Sequence, residues 1–181
     1  MKEDLSFYYS AMKGGKTTRI FQKIHDLEEN GQTVLLIKPK IDTKGNDCII
    51  NRKGEQRKID ILLDANDKLL TTKNIESILF CNHIIVDEVQ FLTKEQIEEL
   101  WMINKKADIK VSCYGLKTNF KGELFEGSAR LMALADNIVD CCIIFTFNHV
   151  PDACVLIVNQ QHWMLYIIKK DLTFSCVFQN L

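Results

Sequence analysis

Through the first 140 residues, short apolar runs alternate with amphipathic stretches. LSFYYS is compact and aromatic and reads as a strand. TTRIFQKIHDLEENG then places Ile20, Phe21, Ile24 and Leu27 on one helical face, with Gly31 as a natural stop. TVLLIKP is an unbroken apolar run, the pattern of a strand buried on both faces. ILFCNHIIVDEVQFL holds a second such strand, ending at acids, and IKVSCYGL a third. TKEQIEELWMI and GSARLMALAD are helical, and Thr93 and Gln96 have capping-box spacing. Residues 40–60 are polar and irregular, contain two glycines, and read as a surface loop.

Strands alternating with helices imply a doubly wound, mostly parallel α/β sheet. Ligands of such sheets bind beyond the carboxyl ends of the strands. After about residue 140 the pattern turns to alternating, β-forming sequence, which predicts a small β-rich appendage. The expected division is a nucleotide-binding unit over 1–140 and an appendage over 141–181. No internal repeat and no low-complexity tract occurs.

Composition narrows the function. The 23 basic and 24 acidic side chains leave a formal charge of −1, which argues against a general nucleic-acid binder. No run of apolar residues is long enough for a membrane span. The opening MKEDLSF carries acids at once, unlike a secretory leader. Seven cysteines are scattered, several inside apolar runs, which fits buried thiols in a reducing cytoplasm better than a disulfide framework.

SAMKGGKTT, between the first strand and the first helix, is the leading chemical signal. Backbone N–H groups at such a turn wrap phosphate oxygens, and the helix dipole favours the anion. Ser10, Ala11, Met12, Lys13, Gly14, Gly15, Lys16, Thr17 and Thr18 are the candidate phosphate loop. Lys16 would reach the outer phosphates and the Thr17 hydroxyl would ligate Mg²⁺. Ser10 stands where the usual pattern has glycine. The bland alternative is a lysine-bearing loop at a helix start.

Asp87 and Glu88 end the strand IIV. The first acid can serve the Mg²⁺ shell, and the second can act as a base or position a nucleophile. Their bland reading is a solvated pair of acids. Phe120 and Phe125 lie in the connection CYGLKTNFKGELFEGS, where they could stack a base or simply pack on the sheet. His25 and His83 read as structural. Adjacent Cys141 and Cys142 have poor metal spacing, and Cys154, Cys176 and His149 are a weak alternative metal set.

Together these segments resemble type II thymidine kinases. FYYSAMKGGKTT resembles that family's phosphate loop, including a branch with serine at the first position. KPKIDTK, VDEVQFL and CYGLKTNFKGELFEGSARLMALAD resemble three further family segments in the right order, across residues 5–140. The resemblance implies transfer of the ATP γ-phosphoryl group to the 5′-hydroxyl of thymidine, with Mg²⁺. Glu88 matches the catalytic base, and Asp87 the Mg²⁺-associated acid. Met12, Gln90, Phe91, Leu116, Phe120 and Phe125 match positions at the thymine pocket. The family's homotetramer implies a homo-oligomer.

Departures from the family are specific. Lys44 stands where arginine is common, which keeps a charge for phosphate but loses the planar fork. Asn119 replaces a common aspartate, and Lys13 adds a charge to the loop. The family has a small zinc subdomain and a lasso over thymidine. Here Phe145 and Phe147 fall at the first ligand pair, and Gln179 at a further ligand place. Cys176 is the one clear match, so zinc is not expected. The tail also ends early, without a clear counterpart of the lasso. The competing expectation is therefore an impaired or inactive ATP-binding homologue. A P-loop ATPase acting on nucleic acid fits the charge balance poorly.

Overall fold

A computed structural model describes residues 5–12, 14–42 and 47–141, together with the backbone of four strands between 143 and 178. In chain order the elements are β1 (Leu5–Tyr9), α1 (Lys16–Glu29), β2 (Val34–Pro39), β3 (Cys48–Ile50), β4 (Gln56–Lys58) and β5 (Ile61–Leu63). Then come α2 (Thr72–Leu79), β6 (His83–Val86), α3 (Lys94–Ala107), β7 (Lys110–Gly115), α4 (Glu126–Leu134) and β8 (Asn137–Asp140). The last four strands are β9 (Ile143–Thr146), β10 (Cys154–Val158), β11 (Trp163–Ile168) and β12 (Phe174–Phe178).

The main sheet has the order β5-β2-β6-β7-β1-β8, and every neighbouring pair in it is parallel. Strand alternation sorts the apolar side chains onto two faces. Leu35, Ile37, Ile84, Val86 and Cys113 join one cluster with Ile97, Leu100 and Ile103 of α3 and Leu131 of α4. Leu36, Ile85 and Tyr114 join the other cluster with Ile20, Ile24 and Leu27 of α1. Helices on both faces explain why these strands read as continuous apolar runs.

Register puts the functional loops at one edge. Tyr9 pairs with Gly115, and Val86 pairs with Cys113 on the far side of β7. The loops after β1, β6 and β7 therefore leave the same end of three adjacent strands. The capping box at α3 is formed: Thr93 Oγ1 accepts the Gln96 N–H at 3.3 Å, and Gln96 Oε1 accepts the Thr93 N–H at 3.1 Å.

Residues 40–60 are more structured than the polar sequence implies. β3 and β4 form an antiparallel hairpin, and β5 adds an edge strand beside β2. α2 and β8 also lack a clear sequence signal: α2 buries only Ile78, and β8 is mostly exposed. Beyond β8, β9 to β12 form a separate four-stranded antiparallel sheet in the order β12-β11-β10-β9. No helix among the described residues is long and apolar enough to cross a membrane.

Candidate functional site

The turn after β1 closes tightly. Ser10 N–H donates to Gly115 O at 3.3 Å, and Gly14 N–H returns to Ala11 O at 3.0 Å. A Cβ on Gly14 would strike the Ser10 side chain and lie 2.7 Å from Ala11 O. Ser10 thus occupies the space that Gly14 leaves empty, which is why serine is tolerated at the loop's first position. Gly15 has φ of 76°, the left-handed region, and turns the chain into α1.

The first turn of α1 has no side-chain cap and no acidic residue. Its N–H groups and positive dipole end form a receptor for an anion. Lys16 is buried, with Nζ 3.4 Å from both Ser10 Oγ and Ala11 O. These long contacts hold the ammonium against the loop. Ser10 Oγ in turn donates to Ala11 O at 3.0 Å.

At the end of β6 the two acids diverge. Asp87 is 5% exposed, and its carboxyl is pushed up to about 7. Burial is the main cause and the neighbouring Glu88 charge the second, while the Glu88 N–H, Lys16 and Lys38 pull the other way. That N–H donates to Asp87 Oδ1 at 2.9 Å. Glu88 has φ of 50° and ψ of 40°, a left-handed conformation that is uncommon for a side chain of this kind. The chain then enters a 3₁₀ turn at Val89–Phe91.

Gln90, 3% exposed, ties this turn to the next loop. Its Nε2 donates to Glu88 Oε2 at 2.7 Å, and its Oε1 accepts the Leu116 N–H at 3.0 Å. Ser128 Oγ donates to Leu116 O at 2.5 Å, which fixes the same loop from α4.

One cavity of about 370 Å³ brings together Met12, Gly14 to Thr18, Glu88, Gln90, Phe91 and Leu116. Asp42, Ile50, Asn51 and Arg52 complete its wall. A second cavity, about 340 Å³, shares Thr17, Asp42, Arg52 and Glu88 and adds Lys38 and Asp87. Phe125 meets Phe91 edge-on, with centroids 6.0 Å apart, but is not in the cavity wall. Phe120 is 95% exposed and stands outside it, so it does not pack on the sheet. Lys13 and Lys44 lie outside the described residues, as do the side chains of Cys142, Phe145, Phe147, His149, Cys154, Cys176 and Gln179.

The two histidines among the described residues, His25 and His83, have structural surroundings. His83 is buried and its Nε2 lies 2.8 Å from Ser112 Oγ, while His25 meets Glu29 on an exposed helix face at 3.3 Å. Sequence reasoning passed over Lys38, Asp42, Asn51 and Arg52. Lys38 is 1% exposed and meets Asp42 at 2.9 Å. The available signal was a lysine near the carboxyl end of an apolar strand and an aspartate just past it, at the edge where such sheets bind ligands.

Nucleotide phosphoryl transfer implies Mg²⁺, and this donor set fits it. No group of three or more His, Cys, Asp or Glu able to hold a metal occurs among the described residues. A nucleotide-bound Mg²⁺ needs none, because one or two protein oxygens with phosphate and water complete its shell. Thr17 and Asp87 lie on the same cavity wall. The raised affinity of Asp87 for a proton marks a desolvated carboxylate that a cation would stabilise.

A parallel sheet whose first strand runs through a GGKT turn into a helix, with an acidic pair at the same end of β6 two strands away, has the architecture of a P-loop-type nucleotide-binding protein. The family model described as thymidine kinase matches residues 3–165, and the chain belongs to that family. A thymidine kinase of Shewanella oneidensis is 40% identical over 139 residues, 75% of this chain and 71% of the relative. The enterobacteria phage T4 thymidine kinase is 37% identical over 137 residues, again 75% and 71%. That of Photorhabdus laumondii is 38% identical over 139 residues, 75% and 68%.

Proposed function

We propose that this protein phosphorylates thymidine at the 5′-hydroxyl, using ATP. The observation that carries the reading is one continuous cavity joining the Lys16–Thr18 phosphate turn to Glu88 and to the apolar Met12, Phe91 and Leu116. Phosphates at the start of α1 would take the N–H groups there and exchange with the two long contacts of Lys16. Glu88, oriented by Gln90, would accept the proton of the 5′-hydroxyl. The 5′-oxygen then bonds to the γ-phosphorus as the bond to the β–γ bridging oxygen breaks, and ADP leaves. Thr17 and Asp87 would hold Mg²⁺, which neutralises charge on the phosphate oxygens when bound.

Phe91 and Leu116 supply apolar surface for the base, and Phe125 supports Phe91 from behind. Phe120, exposed on its loop, is free of core packing and suits a base-stacking role. We place the nucleotide-binding unit at residues 1–140 and a separate β-rich unit at 141–181. Cys81, Cys113 and Cys141 are buried free thiols, which supports a reducing, cytoplasmic setting. Leu79 and Phe80 expose apolar surface at the end of α2, which supports a homo-oligomer.

The deciding experiment is formation of thymidine monophosphate from ATP and thymidine with Mg²⁺, read by mass, beside Lys16→Ala and Glu88→Gln. Product from the wild type alone, with ATP still bound by Glu88→Gln, is the expected result. No product from a wild type that binds ATP would leave an ATP-binding homologue without this activity. Full turnover by Glu88→Gln would remove Glu88 from the mechanism.

A further inference from the structure

We infer that Arg52 is a catalytic residue, a guanidinium carried by the β3–β4 hairpin onto the phosphoryl group during transfer. This rests on the phosphoryl-transfer reading above. Arg52 lines both cavities, beside Thr17 and Glu88 in each. Among the described residues lining the first cavity, the cationic side chains are Lys16 and Arg52. Lys16 approaches from the phosphate turn, and Arg52 from the hairpin.

The hairpin holds its tip firmly. Asn51 is 8% exposed, and its Oδ1 accepts the N–H of Lys53 at 2.9 Å and of Glu55 at 3.0 Å. Its side-chain amide also donates to Glu55 Oε2. On the backbone, Asn51 and Glu55 pair at 3.0 Å, and Gly54 N–H closes the turn onto Asn51 O at 3.1 Å. The hairpin is also tied to the helix that carries Lys16. Ile49 and Ile59 pack in the same cluster as Ile20 and Ile24 of α1, and Arg57 meets Glu28 at 2.7 Å. The cation of the hairpin and the phosphate turn of α1 are therefore held by one packed unit.

The chemistry needs such a group. As the bond to the bridging oxygen breaks, negative charge shifts onto the leaving phosphate while the γ-phosphoryl oxygens stay charged. Asp42, Asp87 and Glu88 place carboxylates around the same space, so a cation facing them is needed most as charge builds on the leaving phosphate. A planar guanidinium can bridge two oxygens, one on each side of the breaking bond, which an ammonium cannot reproduce. The proton still goes to Glu88, so Arg52 stays charged throughout.

The test uses the full-length protein, with Arg52→Ala and Arg52→Lys compared in kcat and KM. Arg52→Ala is expected to lose about 10³-fold in kcat, with ATP KM and thermal stability close to wild type. Arg52→Lys should recover only a small part. Guanidinium at sub-denaturing concentration should restore part of the Arg52→Ala rate and none of the Glu88→Gln rate. An unchanged kcat, a change confined to KM, or no guanidinium rescue would each overturn the assignment. If the wild type makes no thymidine monophosphate, the proposed function has failed and a second measurement decides Arg52. Wild type should bind ADP with aluminium fluoride, a mimic of the phosphoryl group in transfer, more tightly than ADP alone. Arg52→Ala should lose that gain, and an equal gain in both proteins overturns the inference.

Discussion

Replacing Asp87 by asparagine should make the nucleotide-free protein more stable at alkaline pH. The Asp87 carboxyl is raised from the ordinary 3.8 to about 7, chiefly by burial. Below 3.8 the folded and unfolded chains both hold this proton. Between the two values the folded chain keeps a proton that the unfolded chain has released, so stability falls as pH rises, by about 1.4 kcal/mol per pH unit. The window spans about three pH units, which sets a ceiling of about 4 kcal/mol. Above about pH 7 the residue is ionised in both states and the loss is complete. Asparagine has no proton to titrate and keeps the Oδ1 acceptor used by the Glu88 N–H. Urea unfolding without nucleotide, from about pH 5 to about pH 8, should show the variant gaining on the wild type as pH rises and levelling off above about pH 7. Mg²⁺ and ATP should then stabilise the wild type far more than the variant. A stability difference independent of pH, or one that widens toward acid, would refute the burial argument.

Three other substitutions probe separate parts of the site. Gly14→Ala puts a Cβ against Ser10 and Ala11 O, so ATP affinity measured by calorimetry should fall at least about tenfold, a loss of about 1.4 kcal/mol. Gln90→Leu leaves the Leu116 N–H without its acceptor and Glu88 without its donor, costing about 1–3 kcal/mol in denaturant unfolding and lowering kcat beyond any loss of ATP affinity. Phe120→Ser removes a side chain that is 95% exposed, so stability should move by less than about 0.5 kcal/mol. Thymidine KM should rise in that variant, and an unchanged KM would take Phe120 out of base recognition.

The legible parts were those with a strong local pattern. β2, β6 and β7 are continuous apolar runs because helices cover both faces, and the capping box at Thr93 and Gln96 is a local chemical signature. The GGKT turn and the DE pair were legible for the same reason, and parallel register brings them to one edge. The hairpin was missed because β3 and β4 have three residues each, too short for alternation to show through charged sequence. β8 escaped notice because an edge strand with three exposed residues out of four carries little apolar pattern. Arg52 and Lys38 were invisible as site residues until the hairpin and β2 placed them beside Thr17.

The structure resolves what the adjacent acids could not show as letters. Alternation along β6 puts Asp87 on the Ile85 face, where α1 and the buried Lys38 lie. A continued strand would send Glu88 to the opposite face, into the packing beneath α3 and α4. The left-handed turn at Glu88 prevents this, at a backbone cost of about 1–3 kcal/mol. Gln90 then holds the redirected carboxylate on the wall it shares with Lys16. One neighbour is buried without full charge compensation, and the other is held in strained backbone. Both burdens fall on consecutive residues at the end of β6, on the cavity wall shared with the phosphate turn. Stability alone would select a smaller neutral residue at 87 and glycine or asparagine at 88. Retaining two acids there against local preference is the physical mark of a site shaped for chemistry.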